Sequence, residues 1–294
     1  MMKMNAERNL TSPAVVASLL RHHGLKPKKR LGQSFLVDRN VLDKIVAAAE
    51  LGPNDCVVEI GAGLGTVTRE LASRAGRVVA VEADRGLIPV LRDTLSGLGN
   101  VEVVEADFLE LALDGFLAER LGEERCVVVA NLPYYITTPI VSRLIETKSR
   151  IRLAALMVQK EVAQRLIAPS GGDDYGAITV FVRYHCEVEI VAQVSRNVFL
   201  PPPEVDSALV RLRVRERPPV QTRDEGAFFA VVKAAFGQRR KTVLNALSGS
   251  PELSLTKKRA LGMLQAAGID AVRRGETLDL AEFARLADAL GVEG

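Results

Sequence analysis

Apolar residues fall into two patterns that alternate along the first two thirds of this chain. Short apolar runs occupy 56–60, 77–84, 101–104, 126–130 and 154–158, each ending on or beside a polar residue. Before the first run, at 39–51, and between later ones, at 66–73 and from Thr137 onward, the pattern suits helices. This alternation predicts an α/β fold, a doubly wound sheet whose strands are too apolar to face water. A first helix precedes it, with Ser12 at the N-cap, Pro13 at N1 and an end at His22. Asp38 can cap the helix at 39–51. Segment 177–185 stays open: its β-branched residues suit a strand, but its place in the alternation suits a helix. Residues 188–194 and 207–214 read as two closing strands joined by the proline-rich link 197–206. Beyond Arg215-Glu216-Arg217-Pro218-Pro219 every expected element is helical, at 225–246, 255–267 and 280–290. Asp279 and Glu282 form a capping box for the last of these. The expected organisation is an α/β domain at 1–214, a linker at 215–224 and a small all-helical domain at 225–294.

Composition changes this picture little. The chain is 48% hydrophobic and 26% charged, as globular proteins are. A net charge of +3 is too small to name a partner, but its distribution is informative. Lys26, Lys28, Lys29 and Arg30 cluster before the sheet, and Lys233, Arg239, Arg240 and Lys241 recur in the helical part. Such clusters bind phosphate backbones or simply solvate a face. Cys56, Cys126 and Cys186 are widely spaced, which points to buried free thiols in a reducing compartment and not to disulfides or a metal site. No apolar run reaches membrane-spanning length and the amino end carries no apolar signal region, so a soluble cytoplasmic protein is expected.

The candidate chemistry gathers at the predicted strand ends. The run 56–60 leads into Gly61-Ala62-Gly63-Leu64-Gly65, a turn that lets backbone N–H groups approach a ligand. Its spacing is not the Gly-x-Gly-x-x-Gly of dinucleotide enzymes. Glu82 lies about 20 residues beyond the first glycine, where such a sheet presents a carboxylate to a ribose hydroxyl pair. Asp107, past the third strand, could accept from an adenine amine, with Phe108 beside the ring. Singly these acids read as surface carboxylates; repeated at successive strand ends they read as a ligand site. The fourth strand runs into Asn131-Leu132-Pro133-Tyr134-Tyr135. Pro133 fixes the backbone, Asn131 can donate and accept, and Tyr134 offers a flat face with a polar tip. The set suits a planar ligand with an exocyclic amine, such as adenine; an ordinary strand-to-helix turn is the alternative. Segment 28–38 has the mixture of a binding loop. The stiff link can hold Phe199 opposite Tyr134, or its prolines can brace a crossover.

The pentapeptide resembles the Asn-(Leu/Pro/Ile)-Pro-Tyr motif of methyltransferases that use S-adenosylmethionine to methylate exocyclic amines of bases. Leu132 leans toward the RNA adenine enzymes. Further motifs stand at 32–36 (Gly-Gln-Ser-Phe-Leu), 59–63 (Glu-Ile-Gly-Ala-Gly), 159–162 (Gln-Lys-Glu-Val), 199–208 (Phe-Leu-Pro-Pro-Pro-Glu-Val-Asp-Ser-Ala) and 236–242 (Phe-Gly-Gln-Arg-Arg-Lys-Thr). With them, the chain from about Lys28 to its last helix resembles the ribosomal RNA adenine dimethyltransferase family. The signature around Arg239-Arg240-Lys241-Thr242 is similar to that of its small-subunit branch. The resemblance implies a Rossmann-like methyltransferase domain with cofactor contacts at Ser34, Leu36, Gly61, Gly63, Glu82, Asp107 and Asn131. It implies catalysis by Asn131, Leu132, Pro133, Tyr134 and Phe199, without a metal. Ser34 departs from the family's usual asparagine. The implied substrate is a pair of adjacent adenosines in a hairpin near the 3′ end of 16S rRNA, in an assembling small subunit. A monomer is implied, with RNA contacts at Lys28, Lys29, Arg30, Arg239, Arg240 and Lys241. Two other readings stand beside this one. An RNA-binding assembly factor with incidental methylation is disfavoured by the intact Asn-Leu-Pro-Tyr. A DNA adenine methyltransferase is disfavoured by Leu132 and the carboxyl half.

Overall fold

Valine dominates the central strands, and its β-branched side chain packs well on a pleated surface buried on both sides. The computed structural model describes residues 9–28, 31–122, 124–133, 136–238 and 240–291. Lys29, Arg30, Tyr134, Tyr135 and Arg239 lie outside the described residues. Two compact units appear: residues up to Ala163 with Glu187–Val214, and Gln164–Cys186 with the residues from Arg215 on. Segment 164–186, which the sequence pattern puts in the α/β domain, therefore clusters with the helical part.

In the first unit, α1 (Pro13–His22), β1 (Phe35–Leu36) and α2 (Arg39–Ala48) precede the alternation. It then runs β2 (Cys56–Ile60), α3 (Thr66–Ala72), β3 (Arg77–Glu82), α4 (Ile88–Thr94), β4 (Val101–Glu105), α5 (Leu113–Leu121), β5 (Cys126–Asn131), α6 (Thr137–Glu146) and β6 (Ile151–Gln159). Helix α7 (Lys160–Ile167) follows β6, and β7 (Cys186–Val194), β8 (Phe199–Leu200) and β9 (Ser207–Val214) complete the strands. The main sheet has the order β4-β3-β2-β5-β6-β9-β7. Strands β2 to β6 pair in parallel, and β9 pairs antiparallel with β6. From β2 the chain moves outward through β3 and β4, then returns to β5 on the other side. That reversal opens a crevice at the carboxyl ends of β2 and β5, where ligands of such sheets bind.

One face of the sheet packs Val57, Val78, Val127 and Val129 against Val41, Leu42 and Ile45 of α2 and Leu71 of α3. Elsewhere Ala80 meets Ile88 and Leu91 of α4. Asp38 caps α2 as expected, accepting from Val41 N at 2.9 Å. The three cysteines are buried and form no disulfide. A small ribbon was not legible in the pattern: β1 pairs antiparallel with β8, Phe35 opposite Leu200 and Leu36 opposite Phe199. It joins the segment 32–36 to the proline-rich segment 199–208.

The second unit is helical: α8 (Ala177–His185), α9 (Glu225–Gly237), α10 (Val243–Ser248), α11 (Lys257–Ala266) and α12 (Leu280–Leu290). The open segment 177–185 is thus a helix. Val180 and Tyr184, one turn apart, are buried in this unit's core, and the Tyr184 ring lies 4.8 Å from that of Phe228. The helix expected at 225–246 is two. Gln238 leaves helical geometry (φ −133°, ψ 70°), and Thr242 caps a new helix, accepting from Asn245 N at 3.4 Å. The capping box forms, with Asp279 accepting from Glu282 N at 2.8 Å and Glu282 from Asp279 N at 3.0 Å. Among the described residues no helix is long and apolar enough to cross a membrane.

Candidate active site

One pocket of the first unit lies at the carboxyl ends of β2 to β5, and the sequence-derived site residues converge there. Ser34, Leu36, Gly61, Gly63, Glu82, Asp107, Asn131, Leu132, Pro133 and Phe199 all line it. Tyr134 lies outside the described residues. Gly61 and Gly63 take left-handed backbone angles (φ 75° and 60°), which favour glycine. A Cβ at Gly63 would lie in ordinary contact with the Phe35 ring at 3.5 Å, so the backbone angle is what favours glycine there.

Glu82, the last residue of β3, is 7% exposed. Its carboxylate accepts from Gly63 N and from Asp84 N, both at 2.8 Å. Burial raises its pKa, and these backbone donors pull the other way. Glu59 is still more enclosed: burial pushes its carboxyl up to about 8, the Thr68 hydroxyl opposing and the Glu82 carboxylate adding to the rise. Among the described residues its Oε2 has no partner. Asp107 follows β4 with Oδ1 accepting from Leu109 N at 2.9 Å, and Phe108 beside it is buried. Arg143 of α6 holds this loop by donating to the carbonyl of Leu109 at 2.7 Å and to that of Leu111.

Asn131 closes β5, and its Nδ2 donates to the Ser34 carbonyl at 3.2 Å. A backbone carbonyl can only accept, so this contact assigns the NH₂ edge of the amide and leaves Oδ1 to face elsewhere. Leu132 is buried, its N–H donating to the Met157 carbonyl at 3.2 Å. The Pro133 carbonyl is taken by Ile136 N at 3.2 Å, and a Cβ at Gly32 would touch Pro133 at 3.4 Å. Phe199 is 4% exposed and fixed by the ribbon with β1.

Lys28, expected on RNA, is partly exposed and pairs with Asp84: its Nζ donates to Asp84 Oδ1 at 2.6 Å. Arg240 and Lys241 are exposed on the second unit, whereas Lys29, Arg30 and Arg239 lie outside the described residues. Sequence reasoning passed over Gln33, Asp84 and Arg143. Gln33 stands inside a quoted motif and Asp84 two residues past Glu82, so a signal existed for both. Arg143 sits on an ordinary amphipathic helix and gives none.

A doubly wound sheet with a glycine turn, strand-end acids and an amide-proline loop in one pocket defines a Rossmann-like S-adenosylmethionine-dependent methyltransferase. The sequence profile described as ribosomal RNA adenine dimethylase matches residues 24–286. The chain belongs to that family. Its relatives include the ribosomal RNA small subunit methyltransferase A of Pelotomaculum thermopropionicum, 50% identical over 95% of this chain and 97% of the relative. The protein of the same name from Moorella thermoacetica is 50% identical over 96% and 99%. Among solved structures, a dimethyladenosine transferase from Plasmodium falciparum matches with a TM-score of 0.70 and 29% identity, covering 85% of this chain and 95% of that one. The 23S rRNA methyltransferase ErmE matches with a TM-score of 0.67 and 33% identity, covering 87% and 99%.

Proposed function

We propose that the protein dimethylates two adjacent adenosines in a hairpin near the 3′ end of 16S rRNA, in an assembling small subunit, acting as a cytoplasmic monomer. The observation that carries this reading is the Asn131 amide, oriented at the strand end where the pocket meets the Leu132-Pro133 backbone. The names of the relatives support the small subunit as the substrate's home.

The residues present fit S-adenosylmethionine. The Gly61–Gly63 turn leaves backbone uncovered where a side chain would stand, and Glu82 offers a buried carboxylate suited to a ribose. Asp107 and Phe108 would meet the cofactor's adenine, with Leu36 and the Ser34 backbone flanking. When bound, the cofactor supplies a methyl group on a positively charged sulfur. The acceptor is a poor nucleophile, because the lone pair of an adenine amine is delocalised into the ring. Asn131 Oδ1 and the Leu132 carbonyl would accept its two N–H hydrogens and draw that lone pair out of conjugation. No strong base is needed, since the amine's acidity rises as it becomes cationic. Positioning and electrostatics then carry the rate. Tyr134 and Phe199 would sandwich an adenine swung out of its stack, stacking of this kind contributing about 1–3 kcal/mol per base. We assign cofactor and acceptor binding to the sheet unit, and rRNA recognition to the helical unit through Arg239, Arg240 and Lys241.

The test is methyl transfer from labelled cofactor to undermethylated small subunits, large subunits and DNA. Small subunits alone should be labelled, as dimethyladenosine. Labelling of DNA or large subunits instead would overturn the substrate. Tight small-subunit binding without transfer would favour an assembly factor.

A further inference from the structure

Asp84 is 6% exposed, and its side chain has no part in the proposed contacts to cofactor or acceptor. Both of its oxygens are occupied. Oδ1 accepts from Lys28 Nζ at 2.6 Å and from Gly86 N at 2.9 Å, and Oδ2 accepts from Gln33 Nε2 at 2.7 Å. Gln33 is held a second time, its Oε1 accepting from Lys28 N at 2.9 Å. The next residue is Ser34, whose carbonyl takes the Asn131 amide at 3.2 Å. On its other side, the Asp84 N–H donates to Glu82 Oε1 at 2.8 Å. Hydrogen bonds thus tie the carboxylate at the end of β3 through Asp84 to Gln33, and the peptide bond from Gln33 to Ser34 carries the series on to the amide at the end of β5.

We propose that Asp84 is a positioning residue for methyl transfer: through Lys28 and Gln33 it fixes the Ser34 carbonyl that orients the Asn131 amide. This rests on the reading that Asn131 receives the target amine. Only a carboxylate suits the place. Its two oxygens accept from an ammonium and an amide at once, whereas asparagine would turn an NH₂ toward one of those donors. The Ser34 side chain takes no part, which explains how serine serves where the family's usual residue is asparagine. A displacement of about 1 Å at a reacting group can lower a rate about a hundred-fold. A loosened Ser34 should therefore act on the chemical step and not on RNA affinity.

The experiment compares wild type with Asp84→Asn and Asp84→Glu. It reads cofactor affinity by calorimetry, affinity for undermethylated small subunits, melting temperature, and the single-turnover rate on those subunits at saturating S-adenosylmethionine. Asp84→Asn should lower that rate about ten- to a hundred-fold with subunit affinity retained, and Asp84→Glu should recover part of it. Adding Lys28→Met to Asp84→Asn should cost little more, because both changes cut the same link. A folded Asp84→Asn protein within about two-fold of the wild-type rate overturns the proposal. So does a loss that vanishes once the rate is expressed per cofactor-binding molecule. Should Asp84→Asn fail to fold, Gln33→Met is held to the same criteria. A wild type that transfers no methyl would instead sink the underlying reading of Asn131.

Discussion

Asn131 has one edge committed to a backbone carbonyl, so substitutions there separate chemistry from packing. Asn131→Ala should lower methyl transfer by about a hundred- to a thousand-fold, as loss of one transition-state contact typically does, while the protein stays folded. Turnover within a few-fold of wild type, with a normal circular dichroism spectrum, would remove Asn131 from the acceptor site. Ser34→Asn should leave cofactor affinity unchanged or slightly tighter, since the observed contact uses the main chain; calorimetric titration decides this. Glu59 yields a pH effect. Its carboxyl stays protonated up to about pH 8 in the folded chain, against an ordinary value of 4.5. Between those values the folded state holds a proton that the unfolded state has released. Stability therefore falls as pH rises, by about 1.4 kcal/mol per unit for this one group. Glu59→Gln should flatten that decline in urea midpoints taken from pH 5 to 8, and parallel slopes in the two proteins would mean Glu59 is already ionised.

Between elements, α6 and the loop after β4 are tied by Arg143, which bonds two carbonyls beyond Asp107. Arg143→Met should free that loop and weaken cofactor binding several-fold at little cost in melting temperature; an unchanged dissociation constant would make the tie ornamental. No local pattern announces such a contact, because a helix arginine looks the same in sequence whether it meets water or a distant carbonyl. The strands were legible for the opposite reason: runs such as 126–130 admit no solvent-facing placement. Segment 177–185 was ambiguous because Ile178, Thr179, Val180 and Val182 prefer strands locally. Packing decides it, with Val180 and Tyr184 buried one turn apart. The break between Gly237 and Val243 falls on the polar run 238–242, where Thr242 is an ordinary cap signal that the expected single helix at 225–246 runs through. The candidate site was legible wherever a motif sits at a strand end, and illegible where two motifs meet across the fold, as in the ribbon of β1 and β8.

At the scale of the whole chain, basic residues of the helical unit should set the salt dependence of rRNA binding. Each phosphate contact makes log affinity fall by about 0.7–0.9 per decade of salt. Replacing Arg239, Arg240 and Lys241 together should weaken small-subunit binding and flatten that slope, with cofactor affinity nearly untouched. An unchanged slope would place the RNA elsewhere. The strand order carries a different consequence, for synthesis. The ribosome delivers β7 before β9, yet in the finished sheet β9 stands between β6 and β7. A nascent chain halted at residue 206 would leave the β6 edge bare and β7 without its neighbour, the kind of exposed edge that invites mispairing. The eight residues of β9 would close both gaps together. Stalled chains with 207–214 inside or outside the exit tunnel should then differ abruptly in protease resistance, whereas a gradual rise with length would mean that β7 finds shelter without β9.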